Sequence, residues 1–244
     1  MKKESTGQIE IQGRYFPIKI ISEFRRNARV SLGSKEVLVR IPNFGRFSDR
    51  DQILNWVKDY LHQLYDSKPS AFYKYIPVDY GARNTLSTFD QDFSVSIVRH
   101  KHHNRIYAKL NQGQLQIKLS VDHSTSDPSI GKLVANAMRQ WYLPQIDQRV
   151  KAINREHLKE SVGKVSLRHN STRWGSCSTG GNISISTRCL LAPENVLNYI
   201  IIHELCHLKE MNHSASFWKL VESIDPKYKE KERWLRKYGG ELRF

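Results

Sequence analysis

The sequence predicts an α+β protein whose first half is rich in β-strands and whose second half is mainly helical. Two observations predict this fold class. Apolar and polar residues alternate in several segments before residue 120, whereas apolar residues recur at helical spacing from about residue 128. Alternation is typical of strands with one buried face, and a period of about 3.6 residues is typical of amphipathic helices. The 244 residues suffice for one large domain or two small ones.

The first half is predicted to be a mostly antiparallel β unit with one helix. Alternating segments fall within residues 8–41 and 93–119, and Gly33 with Ser34 supplies a hairpin signal. A helix is predicted to begin near Ser48, which can cap its first turn. Residues 67–91 are rich in Ser, Pro, Gly and Asp without a clear period, so we predict a long connection or insertion there.

The second half is predicted to contain one long helix, two strands and a final series of helices. Helical spacing begins at Ile130 and continues beyond Pro144, and no internal sequence repeat is visible. Asp, Ser and Pro cluster at 121–128, which we take as the boundary between the two halves. In the second half we predict strands at 164–168 and 182–187 and helices between about 193 and 238. The predicted domains of the whole chain are 1–125 and 126–244.

The composition narrows the classes of protein to which the chain can belong. No apolar run approaches the roughly 18 to 20 residues that a membrane helix needs, and a cytoplasmic location is the expectation. Three cysteines without CxxC spacing do not form a disulfide framework. The net charge of +15 favours an anionic partner such as nucleic acid, a nucleotide or a ribosome, or else only keeps the protein soluble. The oligomeric state is left open.

The strongest chemical signal is the segment HELCH at residues 203–207. His203 and His207 are four apart, so both imidazoles project from one face of a helix and can reach one metal ion. Glu204 follows the first histidine and can take a proton from an attacking water as a general base. The preceding segment is strongly apolar, which fits a helix held rigidly in the core. We predict one Zn²⁺ per chain.

A third ligand is needed to turn this motif into a catalytic zinc site. His213, six residues after His207, is the nearest candidate, because the five intervening residues can end the helix and return the chain to the metal. Glu222 is the rival third ligand, and His213 as an exposed residue at a helix start is the plain structural alternative.

Four segments stand out in the second half of the chain: RWGSCS at 173–178, GNIS at 181–184, HELCHLKEMNHS at 203–214, and FW at 217–218. Together they resemble the YgjP-type metallopeptidase family, which is often grouped with the M48 peptidases. Its core is similar to the SprT-like zincins. The resemblance is dense over about 128–238, and it implies a zincin-like C-terminal domain with His203, His207 and His213 as zinc ligands and Glu204 as catalytic base.

The loop RWGSCS and the strand after it are the predicted substrate-binding elements. In zincins a strand runs beside the catalytic helix and an extended peptide can add to its edge, so Asn182 and Ser184 are predicted to contact substrate. Arg173 can stabilise an oxyanion, a carboxylate or a phosphate, and Trp174 can form a pocket wall. The alternatives are a structural ion pair for Arg173 and a core position for Trp174.

These observations predict a zinc-dependent hydrolase, with a peptide or protein as the first choice of substrate. A metal-dependent phosphohydrolase acting on nucleotides is one alternative, because Arg173 and the positive charge suit an anionic substrate. A protease associated with nucleic acid or ribosomes is the other alternative.

Overall fold

The computed structural model describes residues 3–33, 35–43, 50–101 and 106–244. The chain forms two compact units, Met1–Pro77 and Val78–Phe244. None of the described helices combines the length and the apolar character that a membrane span requires. The predicted helix start at Ser48 and the Ser34 half of the predicted hairpin lie outside the described residues.

The first unit is a four-stranded sheet followed by a helix. Its strand order is β1-β2-β4-β3; β2 and β4 pair in parallel, and the other two pairs are antiparallel. The alternating residues Phe16 and Val37 pack against Val57 and Leu61 of the helix in the core. The elements are β1 (Lys3–Ile11), β2 (Arg14–Glu23), β3 (Arg29–Leu32), β4 (Val37–Pro42) and α1 (Arg50–Ser67).

The second unit begins with the same topology. Its first sheet has the order β5-β6-β8-β7, with β6 and β8 parallel and the other pairs antiparallel, and a long helix follows. The chain therefore repeats one four-strand arrangement followed by a helix, although the sequence shows no repeat. The elements are β5 (Thr85–Ser87), β6 (Asp92–His100), β7 (Tyr107–Asn111), β8 (Gln114–Ser120) and α2 (Pro128–Ile153).

The structure divides the chain at a different place from the predicted boundary at 125/126. Ile117 and Leu119 of β8 are fully buried, and they belong to the same core as Ile130 and Val134 of α2. The polar cluster at 121–128 is thus a connection within one unit. Its composition resembles that of a linker because it caps α2: the Asp127 carboxylate accepts a hydrogen bond from the Ser129 amide at 2.7 Å.

A three-stranded sheet and three helices complete the second unit. Its strand order is β10-β11-β9, with β11 antiparallel to β10 and parallel to β9. The first of the helices is apolar on most sides and is largely buried, as its sequence predicts. The elements are β9 (Val165–Arg168), β10 (Gly175–Cys177), β11 (Ile183–Ser186), α3 (Glu194–Cys206), α4 (Ala215–Ile224) and α5 (Tyr228–Tyr238).

The prediction that the strand at 182–187 is a sheet edge is wrong. β11 is the middle strand, so its main-chain groups are paired on both sides and cannot accept a further strand. The two edge strands are β9 and β10, and β10 lies within the RWGSCS segment. Three short strands give no sequence signal for their order, because order depends on which chain segments pair in space.

Candidate active site

Three histidines meet at the end of α3. His203 lies in the last turn of the helix and His207 directly follows it, with their ring centroids 5.1 Å apart. The chain then turns and returns through His213, whose Nε2 lies 3.0 Å from Nε2 of His203. One ligand atom from each of these residues falls within 4.8 Å of the others. The structure therefore brings together the three residues that the sequence predicts as ligands.

The imidazole of His207 is oriented by a hydrogen bond from its second ring nitrogen. His207 Nδ1 lies 2.9 Å from the Glu210 carbonyl oxygen. Since that oxygen can only accept, Nδ1 carries the proton and donates, which leaves Nε2 with a free lone pair for a metal. Glu222, the rival third ligand, is exposed on α4 and does not belong to the described metal-ligating group.

The ring of Phe217 packs against all three imidazoles. It is fully buried on α4, and its ring centroid lies 4.9 Å from that of His203, 4.6 Å from His207 and 4.8 Å from His213. The start of α4 is fixed by Ser214, whose hydroxyl accepts a hydrogen bond from the Phe217 amide at 3.3 Å. The segment NHSASFW thus supplies both the third histidine and the support for the whole cluster.

The environment of His203 and His213 favours the neutral imidazole. Burial, followed by the neighbouring His207 and His213, lowers the pKa of His203 to about 4. Burial likewise lowers the pKa of His213, with His207 as the second cause. Metal ligation requires the unprotonated imidazole, so this environment favours the form that binds a metal.

Glu204 is a buried carboxyl group beside the histidines. It is 6% exposed, and its burial raises its pKa to about 7, while the guanidinium of Arg173 acts in the opposite direction. Its side chain passes over Gly175 of β10. A Cβ atom added at Gly175 would lie 2.5 Å from Oε1 and 2.6 Å from Cγ of Glu204. No role was predicted for Gly175 from the sequence, although a glycine within RWGSCS was the available signal.

A cavity of about 440 Å³ opens beside His203 and Glu204. Trp174 forms part of its wall and also packs against the hydrophobic core. The Arg188 guanidinium lies 4.2 Å from the centroid of the Trp174 ring, and Gly239 is so close that a Cβ there would meet Trp174 at 2.5 Å. Arg173 is exposed and also lines the cavity.

The structure does not bring Asn182 and Ser184 to the cavity. The Asn182 side chain accepts a hydrogen bond from the Lys164 amide at 2.8 Å and donates to Ser178 Oγ at 3.3 Å, so it ties two loops together. Ser184 pairs with Ser176, so both side chains lie on the same face of the sheet. Gly175, the neighbour of Ser176, faces Glu204, so Ser176 and Ser184 point away from Glu204.

The sequence profile described as "YgjP-like, metallopeptidase domain" matches residues 26–238. The chain belongs to the YgjP-like metallopeptidase family. The match covers every element from β3 to α5 and includes the histidine cluster, so the family assignment and the geometry point to the same part of the chain.

Other relatives are similar over shorter stretches. A UTP pyrophosphatase of Escherichia coli (strain K12) is 29% identical over 79 residues, which are 32% of this chain and 47% of the relative, so only about half of that relative is matched. The metallopeptidase zymogen of Pyrococcus abyssi abylysin is 30% identical, with a TM-score of 0.35 over 38% of this chain and 93% of that chain. The metallopeptidase zymogen of Methanocaldococcus jannaschii jannalysin is 23% identical, with a TM-score of 0.33 over 37% of this chain and 92% of that chain.

Proposed function

We propose that this YgjP-like chain is a zinc-dependent peptidase, in which His203, His207 and His213 hold one zinc ion and Glu204 is the general base. The observation that carries the proposal is the convergence of three imidazoles within 4.8 Å beside a buried carboxyl group. A structural zinc site has four protein ligands, whereas three protein ligands leave a position open for water or substrate. The described residues at this site provide three.

The residues fit zinc by their chemistry as well as their number. Neutral imidazole is a common zinc ligand, and a hydrogen bond from the second ring nitrogen to a carbonyl, as at His207, is the usual outer contact of such ligands. When bound, zinc acts as a Lewis acid that polarises a carbonyl oxygen and makes water more acidic. A zincin-like arrangement of the core is part of this proposal.

Glu204 would move the proton in the reaction. Its carboxylate would accept a proton from the attacking water and pass it to the amine of the leaving peptide. The close contact with Gly175 leaves its side chain little freedom, so the group is positioned before substrate binds. Arg173, at the cavity beside Glu204, would stabilise the negative charge that develops on the substrate oxygen.

An extended peptide would bind along β10. Within the described sheet β10 pairs only with β11, so its outer edge is the side on which a further strand can add. Gly175 of this strand contacts Glu204, which puts the scissile bond of such a peptide next to the general base. Trp174 and Tyr199 of the adjacent cavity would then receive one substrate side chain.

Hydrolysis of a nucleoside triphosphate is the second candidate function. The similarity to a UTP pyrophosphatase favours it, together with the exposed Arg173 beside Glu204 and the net charge of +15. The same metal and base would serve, with a phosphorus atom as the electrophile.

One experiment tests both candidates. Wild-type protein loaded with zinc and its Glu204→Gln variant are assayed against a quenched-fluorescence peptide library and against UTP. Loss of the base should lower the rate about 10² to 10⁴-fold. Glu222→Gln is the matched control, because it removes the same charge from an exposed position on α4.

The outcome separates the two functions. Peptide cleavage that depends on Glu204 supports the peptidase, whereas pyrophosphate release with the same dependence supports the second candidate. Full activity of Glu204→Gln on both substrates would refute the assigned base. A protein that retains no zinc after purification without chelators would refute the metal assignment.

A further inference from the structure

The three-stranded sheet carries a row of serines on the face that points away from Glu204. Ser176 of β10 pairs with Ser184 of β11, and Ser184 pairs with Ser166 of β9. Directly paired residues point to the same face of a sheet, so the three hydroxyl groups lie on one face. Gly175 precedes Ser176 and faces Glu204, which places the serine row on the opposite side.

A groove of about 740 Å³ runs over this face, and its charge is positive. Arg139 of α2, Lys164 and Arg168 at the two ends of β9, and Arg173 before β10 all line it. All the residues that line the groove belong to the described part of the chain, and none of them is Asp or Glu. We call this feature the serine groove. It shares Arg173 with the cavity at Glu204 but otherwise differs from it, because that cavity has Glu204 and Glu232 in its wall.

Ser184 is a nearly buried residue of the serine groove whose hydroxyl group has no partner among the described residues. The residue is only 8% exposed, and its Oγ is buried without a hydrogen-bond partner among the described residues. Buried hydroxyl groups are normally hydrogen-bonded, because leaving one without a partner costs free energy. Ser166 Oγ reaches the Ile183 carbonyl oxygen only at 3.5 Å, so a neighbouring hydroxyl is weakly held as well.

We propose that the serine groove binds the phosphate group of a small ligand. Three serine hydroxyls can donate to phosphate oxygens, and the guanidinium groups of Arg139 and Arg168 match phosphate geometry in a bidentate fashion. No aromatic side chain lines the groove within the described chain, so it offers no surface on which a base can stack. The site therefore recognises the phosphate, and the rest of the ligand extends into solvent.

The proposal is tested by titration calorimetry on the zinc-loaded chain of 244 residues. The ligands are inorganic phosphate, pyrophosphate and glycerol phosphate. We expect saturable binding that weakens as salt is added, because cations supply much of the affinity. A preference for pyrophosphate identifies an inorganic anion as the ligand, and a preference for glycerol phosphate identifies a phosphate ester.

Two variants probe the groove independently. Ser184→Ala removes one hydroxyl donor and should weaken binding about fivefold or more. The double variant Arg139→Gln, Arg168→Gln should weaken it about tenfold or more, since it removes two charged donors from exposed positions where folding is not at risk. The matched control is Lys229→Gln, Arg233→Gln, which removes the same charge from the exposed surface of α5 and should bind as the wild type does.

A further variant separates the serine groove from the metal. His213→Ala should leave phosphate binding unchanged, because the groove lies on the other face of the sheet. Equal loss of binding in His213→Ala would place the anion at the metal and overturn the proposal. Unchanged affinity in both groove variants would also overturn it, as would binding of a single-stranded oligonucleotide far more tightly than any of the three small ligands.

Discussion

Replacement of Gly175 by alanine should disable the proposed general base without removing the metal ligands. The added Cβ would lie 2.5 Å from Oε1, 2.6 Å from Cγ and 2.7 Å from Cδ of Glu204. Separations of this kind are well inside van der Waals contact, so the carboxyl group, which is only 6% exposed, must move by roughly 1 Å. A displacement of about 1 Å at a catalytic group can lower a rate about 10²-fold.

The assay compares Gly175→Ala with Gly180→Ala under identical zinc loading. Gly180 lies in the turn that follows β10, and a Cβ there would meet nothing closer than 3.8 Å, so this variant controls for the loss of glycine flexibility. We expect kcat to fall about 10²-fold in Gly175→Ala alone, with overpacking costing about 1 to 3 kcal/mol of stability. Zinc content, measured by mass spectrometry, should match the wild type. Wild-type kcat in Gly175→Ala would refute the reasoning.

Three further predictions concern the support of the site and the division of the chain. Phe217→Ala should lower the free energy of unfolding by about 3 to 5 kcal/mol and weaken zinc binding, as measured by denaturation and by competition with a chelator; unchanged zinc affinity would contradict the supporting role. Asn182→Ala should destabilise the protein by about 1 to 2 kcal/mol and leave KM unchanged, and a raised KM would restore its predicted contact with substrate. A fragment of residues 78–244 should show a cooperative unfolding transition, whereas 126–244, which lacks the sheet under α2, should not; the reverse result would support the predicted boundary.

The sequence was informative about the histidine cluster because the constraint is local. His203 and His207 are related by helical spacing alone, and the turn to His213 is too short to carry that residue far away. The long helix beyond Pro144 was predicted for the same reason, since a sustained 3.6-residue period spans the proline, and the structure confirms it as α2.

Strand order and domain division could not be predicted because they depend on pairing between distant segments. Nothing within GNIS indicates that β9 and β10 flank β11, so Asn182 and Ser184 were assigned to the substrate edge. The polar stretch at 121–128 has the composition of a linker, yet β8 on one side of it and α2 on the other share one core. The repeated topology of β1–β4 and β5–β8 leaves no sequence signal, because it fixes only the pairing pattern and not the residue types.

The three residues of β10 connect the two proposals of function and yet allow them to be tested separately. Alternation along the strand directs Gly175 to Glu204 and Ser176 to the serine groove. Ser176→Ala should therefore weaken phosphate binding, while Gly175→Ala should lower the hydrolytic rate and leave phosphate binding unchanged. Loss of both properties in both variants would indicate that β10 itself is displaced, and circular dichroism with zinc content distinguishes that outcome from a local effect. Because each substitution touches one face of a strand with a single paired neighbour, failure of one proposal does not entail failure of the other.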